Sequence, residues 1–290
     1  MLFSTNTGSV GRRLGIPATV ELIASAGFPC ADISLFYSNP AVDKWDRSAL
    51  ARELNAISAS TGIRYNQAHA PFSSDLDTHL REIVPQLPYA FEMCALIGVP
   101  TMVIHPVKDY NKLYYENREE MLDVNVSFYN SLAPLAREYG VKIAIENMFH
   151  RHPVSRAIGM GICGTAEEHI ALYERLDCKE LYTLCLDVGH SCLTMQRPDE
   201  VIRALGGNRL TALHIQDLDM KDDVHTLPGL SRIDYEPILK ALGEIDYKGE
   251  FTLECDNFFA NIPTDFLPYA YSFASKIAGG MADKVDYYRR

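Results

Sequence analysis

The chain has 290 residues, 47% of them hydrophobic and 22% charged, with a formal net charge of −11. This is the balance of a soluble globular protein, and no run approaches the roughly 18 apolar residues that a membrane span needs. An acidic chain without a basic run disfavours phosphate backbones and anionic lipid, so neither nucleic acid nor membrane is an expected partner.

The elements read in chain order as strand then helix, repeated. LFSTN (residues 2–6) is the first predicted strand. PATVELIASAG follows as a helix with Pro17 in its first turn. Then one joint recurs: a helical pattern ends in glycine, and an apolar run begins at once. It stands in SAGFPCADISLF, STGIRYNQAH, LIGVPTMVIH and EYGVKIAIEN, where Gly27, Gly62, Gly98 and Gly140 suit the left-handed position after a helix. DRSALARELNAIS places Leu50, Leu54 and Ile57 on one helical face. Pro134 in SLAPLAREYG marks a kink or a helix start. TAEEHIALYERL opens with Thr165 and carries Glu168 three residues later, a capping-box pattern. LYTLCLD, RLTALHI and GEFTLEC complete eight predicted strands, and FLPYAYSFASKIAG is a closing helix from about residue 262.

Strand–helix alternation predicts a parallel sheet, and eight units of roughly 30 to 40 residues match one closed (β/α)8 TIM barrel, an α/β fold spanning 1–290. A doubly wound open sheet is the alternative, weakened because no G-x-G-x-x-G follows the first strand. The opening MLFSTNTGSVGRRLG lacks a basic start followed by an apolar block. The cysteines are seven, scattered and without C-x-x-C, as reduced thiols of a cytoplasmic protein would be. Cys255, beside Glu254, reads as an inert packed thiol.

Chemistry gathers where the predicted strands end. The third ends in His69, the fourth in His105, the fifth in Glu146, the sixth in Asp187 with His190 just beyond, the seventh in His214 with Asp217 following, and the eighth in Glu254. The loop DDVHTLPG adds Asp223 and His225. Alone, each has a bland reading: a structural histidine, or a capping aspartate. Together, six consecutive strands deliver ligand-type side chains to the barrel face that carries active sites. Clustered carboxylates repel one another and resist desolvation unless a cation sits among them. Carboxylate oxygens with imidazole nitrogens suit Mn, Co, Zn or Mg.

IAIENM, LCLDVGH, ALHIQD and FTLE resemble the xylose-isomerase-like TIM barrels: the sugar phosphate isomerase/epimerase group, inosose isomerases and dehydratases, ketose 3-epimerases and endonuclease IV. The resemblance covers about residues 15 to 258. It implies one divalent metal held by Glu146, Asp187, His214 and Glu254. It also implies a cytoplasmic sugar or cyclitol isomerase or epimerase. In such an enzyme Glu146 and Glu254 move a carbon-bound proton through a metal-stabilised enediolate. His190 is then a contact to a substrate oxygen, and His69, His105 and His225 contact substrate or support the ligands. Met148, Phe149, Phe258 and Phe259 are candidates to wall the pocket. Asp217 and Asp223 are possible additional site residues. Relatives often form homo-oligomers.

Two departures narrow the group. HIQDLDMK lacks the Glu and Arg that ketose 3-epimerases carry after the strand-seven His, and Asn147–Met148 stands where xylose isomerases need a lysine. Two alternatives stay open. One is a keto-polyol dehydratase on the same scaffold. The other is a zinc phosphodiesterase of the endonuclease IV type, whose three-zinc site His69, His105, Asp187 with His190, and Asp223 with His225 would match. No basic cluster for a phosphate is evident, which favours a non-phosphorylated polyol.

Overall fold

The computed structural model describes residues 1–35 and 46–290. The strands β1 (Phe3–Asn6), β2 (Cys30–Ser34), β3 (Arg64–His69), β4 (Thr101–Ile104) and β5 (Lys142–Glu146) follow in chain order. A small ribbon, β6 (Phe149–Arg151) with β7 (Ile158–Met160), interrupts the series before β8 (Tyr182–Asp187), β9 (Leu210–His214) and β10 (Phe251–Leu253). The eight long-range strands pair in the order β10-β1-β2-β3-β4-β5-β8-β9, all parallel. The ends meet: Ile215 N donates to Thr252 O at 2.8 Å, and Glu254 N donates to Ile215 O at 2.9 Å. The sheet therefore closes into the expected (β/α)8 barrel.

Local chemistry explains the element ends. Gly62, Gly98 and Gly140 each follow a helix with φ of +78°, +73° and +66°, as the sequence pattern predicts. Thr165 caps its helix by accepting from Glu168 N at 3.2 Å. The Glu168 carboxylate does not return to close the box. It accepts instead from Tyr114 and Arg118, 2.6 Å from each. Pro134 neither starts nor ends a helix: Arg118–Tyr139 is one continuous helix that contains it. The β6–β7 ribbon is absent from the sequence reading because two three-residue strands, FHR and IGM, show no apolar run or alternation long enough to register.

Between barrel and helices the packing is apolar, with Ile23, Leu54, Phe91, Tyr129 and Tyr271 fully buried. Each such side chain contributes about 1.5–3 kcal/mol by burial. The barrel interior is different. Hydrogen bonds between strands that are not neighbours run through it: Asn66 Nδ2 donates to Thr252 Oγ1 at 3.1 Å, and Gln67 Nε2 donates to Leu213 O at 3.5 Å. Gln67 Nε2 also donates to Asp32 Oδ2 at 3.0 Å. The floor beneath the C-terminal mouth is thus a polar, hydrogen-bonded layer, although Asp32 Oδ1 and Asn66 Oδ1 have no partner in it.

Asp217 shapes the loop that follows β9. Its Oδ1 accepts from the backbone N–H of Leu218, Arg232 and Ile233, and its Oδ2 from those of Gly229 and Ser231, all at 2.9–3.0 Å. The carboxylate is fully buried and fully committed. Asp217 is therefore not a site residue, as the sequence reading allows, but the tie that holds the loop bearing Asp223 and His225. Asp217→Ala leaves these donors without a partner and is expected to destabilise the chain by about 3 kcal/mol. Urea denaturation at constant m checks it; a loss under about 1 kcal/mol contradicts this role.

Candidate active site and metal centre

The predicted residues converge on one rim. β3, β5, β8 and β9 end in His69, Glu146, Asp187 and His214, while His105 and Glu254 are the first residues past β4 and β10. All six are buried. His214 Nδ1 lies 3.0 Å from Glu146 Oε1 and 3.3 Å from Glu254 Oε2. His105 Nε2 lies 3.0 Å from Glu146 Oε2, and His69 Nε2 lies 3.5 Å from the same oxygen. Toward the outer side, Asp223 Oδ2 stands 2.9 Å from His225 Nε2 and 3.5 Å from His190 Nε2.

Asp187 closes β8 at the rim. Its side chain caps the short helix Val188–Leu193, accepting from His190 N at 2.6 Å, and it also belongs to the carboxylate group at the rim. Asn147 fixes its position: Asn147 Oδ1 accepts from Asp187 N at 2.7 Å, and Asn147 Nδ2 donates to Asp187 O at 3.0 Å. Gln216 bridges the two halves of the site. Its Nε2 donates to Asp187 Oδ2 at 3.1 Å and to Asp223 Oδ1 at 2.8 Å, and its Oε1 accepts from His225 N at 2.9 Å. Gly189 is small because Gln216 needs the space: a Cβ there would sit 2.7 Å from the Gln216 side-chain carbonyl carbon.

Glu146, Asp187, His214 and Glu254 offer ligand atoms that all lie within 4.8 Å of one another. A cation about 2.1 Å from each donor reaches across such a set with small adjustment. Glu146 Oε2 and His214 Nε2 make no hydrogen bond inside the protein. A histidine that ligates through one nitrogen turns the other toward an acceptor. His214 turns Nε2 toward Asp32 Oδ2, 3.7 Å away, and leaves Nδ1 among the carboxylates. The four residues fit a divalent cation.

Among the described residues three further groups have the right residue types: His190–Asp223–His225, His69–His105–Glu146 and His69–His214–Glu254, the last sharing two members with the four-residue centre. In the first, His190 Nδ1 faces Asn147 O at 2.8 Å and His225 Nδ1 faces Glu254 O at 3.1 Å, so both Nε2 atoms are available beside Asp223. The second differs. His69 Nδ1 faces Ala70 O at 2.8 Å, but His105 Nδ1 faces Lys108 Nζ at 3.5 Å, and an ammonium can only donate. With both rings neutral, Lys108 donates to His105 Nδ1, His105 Nε2–H to His69 Nε2 at 3.1 Å, and His69 Nδ1–H to Ala70 O. In this arrangement all four ring nitrogens of His69 and His105 have a partner without a cation, while Glu146 Oε2 has none.

Burial governs the titration here. It raises Glu254 to about 7, against the pull of His214 and His225. It lowers His105 well below the ordinary imidazole range, and it lowers Lys108 to about 8 although Glu146 and Asp223 work the other way. For His190 burial is outweighed by the carboxylates of Asp187, Asp223 and Glu146, which raise it to about 9.

The cluster opens into a cavity of about 300 Å³. His69, His105, Glu146, His190, Asp223, His225 and Glu254 line it, as do Met148 and Phe149 from the proposed apolar wall. Phe258 and Phe259 do not; Phe259 stacks on Tyr271 in the core, 4.3 Å between ring centres. Cys255 is buried, and burial holds its thiol well above the ordinary range, as expected of an inert group. The sequence reading missed Lys108, Phe72, Tyr110 and Arg151, which also face the cavity, and Gln216, which organises it. For Lys108 the signal was its place three residues past a strand-end histidine.

A closed (β/α)8 barrel with a buried carboxylate–imidazole centre at its C-terminal mouth defines the class. Residues 20–265 match the xylose isomerase-like TIM barrel family, and the chain belongs to it. An uncharacterized protein of Methanocaldococcus jannaschii is 30% identical over 196 residues, 65% of this chain and 64% of that protein. An inosose dehydratase of Clostridium beijerinckii is 26% identical over 71% of this chain and 74% of its own length. Among solved structures, a D-tagatose 3-epimerase-like protein superposes with a TM-score of 0.75 at 22% identity over the whole of both chains. The IOLI protein with a binding zinc atom gives 0.71 at 20% identity over 99% of each. These two likenesses are of fold. Among the described residues no helix is long and apolar enough to cross a membrane.

The centre sets a pH dependence for the metal-free protein. Glu254 is raised above its ordinary 4.5 to about 7 and His190 above its ordinary 6.5 to about 9. Each proton therefore stabilises the fold fully below the ordinary value, and that stability is lost as pH rises through the raised one. With a chelator present, the unfolding midpoint is expected to fall steadily from pH 6 to pH 9. Added Mn²⁺ or Zn²⁺ should remove the fall, because a cation replaces the protons. A midpoint that stays level or rises in chelator contradicts this.

Proposed function

We propose that the chain is a divalent-metal-dependent isomerase or epimerase of a sugar or cyclitol. The observation that carries it is that two buried carboxylates, Glu146 and Glu254, reach one small cavity from strands that are not neighbours in the barrel. A cation held by Glu146, Asp187, His214 and Glu254 would supply the Lewis acidity that makes a proton beside a carbonyl removable. The protein's own groups do the rest. One carboxylate accepts the carbon-bound proton and the other returns it, to the opposite face or to the next carbon. Glu254 reaches the cavity with its Oε2 3.3 Å from His214 Nδ1. His225 backs it: its ring Nδ1 lies 3.1 Å from the Glu254 carbonyl. Met148, Phe149 and Phe72 supply the apolar part of the cavity wall. The inosose dehydratase and the 3-epimerase-like protein among the relatives support a substrate of this class, and the zinc of the IOLI structure supports the metal. A dehydratase starts with the same proton removal and differs only in expelling a hydroxyl next.

A second reading, a three-metal phosphodiesterase, draws on the His190–Asp223–His225 group and on the His69–His105–Glu146 corner. The charge of −11 and the partnered ring nitrogens of that corner stand against it. One pair of assays separates the two. Metal-loaded protein incubated in D₂O with a panel of ketohexoses, their phosphates and inososes should place deuterium on substrate carbon. Glu254→Gln should cut that exchange at least a hundredfold. No exchange with any substrate, together with nicking of a duplex carrying an abasic site, reverses the assignment.

A further inference from the structure

Lys108 is a charged group that the proton transfer above does not use. It stands in the loop after β4, only 5% exposed, and faces the cavity. The loop is pinned beside it: Val107 N donates to Asn125 Oδ1 at 2.7 Å, and Asn125 Nδ2 donates to Val107 O at 2.9 Å. Its ammonium lies 5.7 Å from the centre of the Phe72 ring and 5.4 Å from that of Tyr110. Among the described residues its one hydrogen-bond partner is His105 Nδ1, at 3.5 Å, the outer limit of such a bond.

An ammonium has three donors, and a buried cation is costly unless paired. The arginine lining the cavity is already matched: Arg151 binds Asp222 at 2.5 Å. No carboxylate lies within 4 Å of Lys108 Nζ among the described residues. Two of its donors therefore wait for an acceptor that enters the cavity. Two aromatic faces hold the charge in place without neutralising it. The corner beyond it, His105 and His69, passes its hydrogen bonds on to Ala70 and offers no lone pair back toward the cavity.

We infer that Lys108 receives an anionic group of the substrate, so that the sugar or cyclitol turned over here carries a phosphate or a carboxylate. This reverses the expectation of a neutral polyol: no basic cluster is visible in the sequence, because one buried lysine is enough where no carboxylate among the described residues pairs with it directly. The inference rests on this cavity being the substrate site, and the test separates the two.

The test is calorimetric titration of the full-length metal-loaded protein with inorganic phosphate, fructose 6-phosphate, gluconate and fructose. Lys108→Met is compared with Lys108→Arg and with wild type, all checked for unchanged circular dichroism. Lys108→Gln replaces the methionine variant if that one does not fold. Removing the charge should weaken at least one of the phosphate and carboxylate probes about tenfold or more, while fructose changes less than twofold. Lys108→Arg should keep the anion within about threefold. A loss confined to phosphates, or to gluconate, supports the inference and names the anion. Unchanged anion binding in Lys108→Met overturns it, as does an equal loss of fructose and anions. Wild type that binds fructose but no anion overturns it too, yet leaves the sugar-enzyme reading standing; wild type that binds none of the four overturns both.

Discussion

Three carboxylates buried against one another cannot all be ionised in a protein interior unless positive charge stands between them. Glu146, Asp187 and Glu254 are in that position, with His214 as their shared neighbour. The features around the mouth of the barrel follow from this constraint. Gln216 places an amide N–H between Asp187 and Asp223, Asn147 fixes the strand end that carries Asp187, and the polar floor of Asp32 and Gln67 receives the far side of His214. Without a cation, protons take its place, and burial raises Glu254 accordingly.

The same constraint divides the rim into parts with different chemistry. The four-donor group gathers three carboxylates around one imidazole and fits a cation. The His69–His105 corner differs, because Lys108 stands at its far end and each ring nitrogen has a partner. The outer His190–Asp223–His225 group sets one carboxylate between two imidazoles. Residue types alone make these three groups look equivalent; the direction of each histidine's second nitrogen tells them apart.

The barrel and the rim were legible in the sequence because each strand ends in a polar, chemically distinctive residue after a short apolar run. Glycine after a helix and histidine or carboxylate after a strand are local signals, and Gly62, Gly98, His69, Glu146 and Asp187 all lie where those signals put them. What stayed hidden depends on direction. Asp217 has the same sequence credentials as Asp187, yet its carboxylate turns away to five backbone N–H groups. Phe258 and Phe259 stand next to Glu254 in sequence, but Phe259 packs into the core. Lys108 is one lysine among many until its burial, and the lack of a paired carboxylate among the described residues, are seen.

The central claim is that Glu146, Asp187, His214 and Glu254 form a built cation site. Elemental analysis after equilibrium dialysis against a slight excess of Mn²⁺ or Zn²⁺ at pH 7.5 tests it most directly, on wild type and on Asp187→Asn. The account predicts at least one tightly held divalent ion per wild-type chain and loss of that ion, or a hundredfold weaker hold, in the variant. A folded wild-type chain that retains no metal, or a variant that retains it as tightly, contradicts the account.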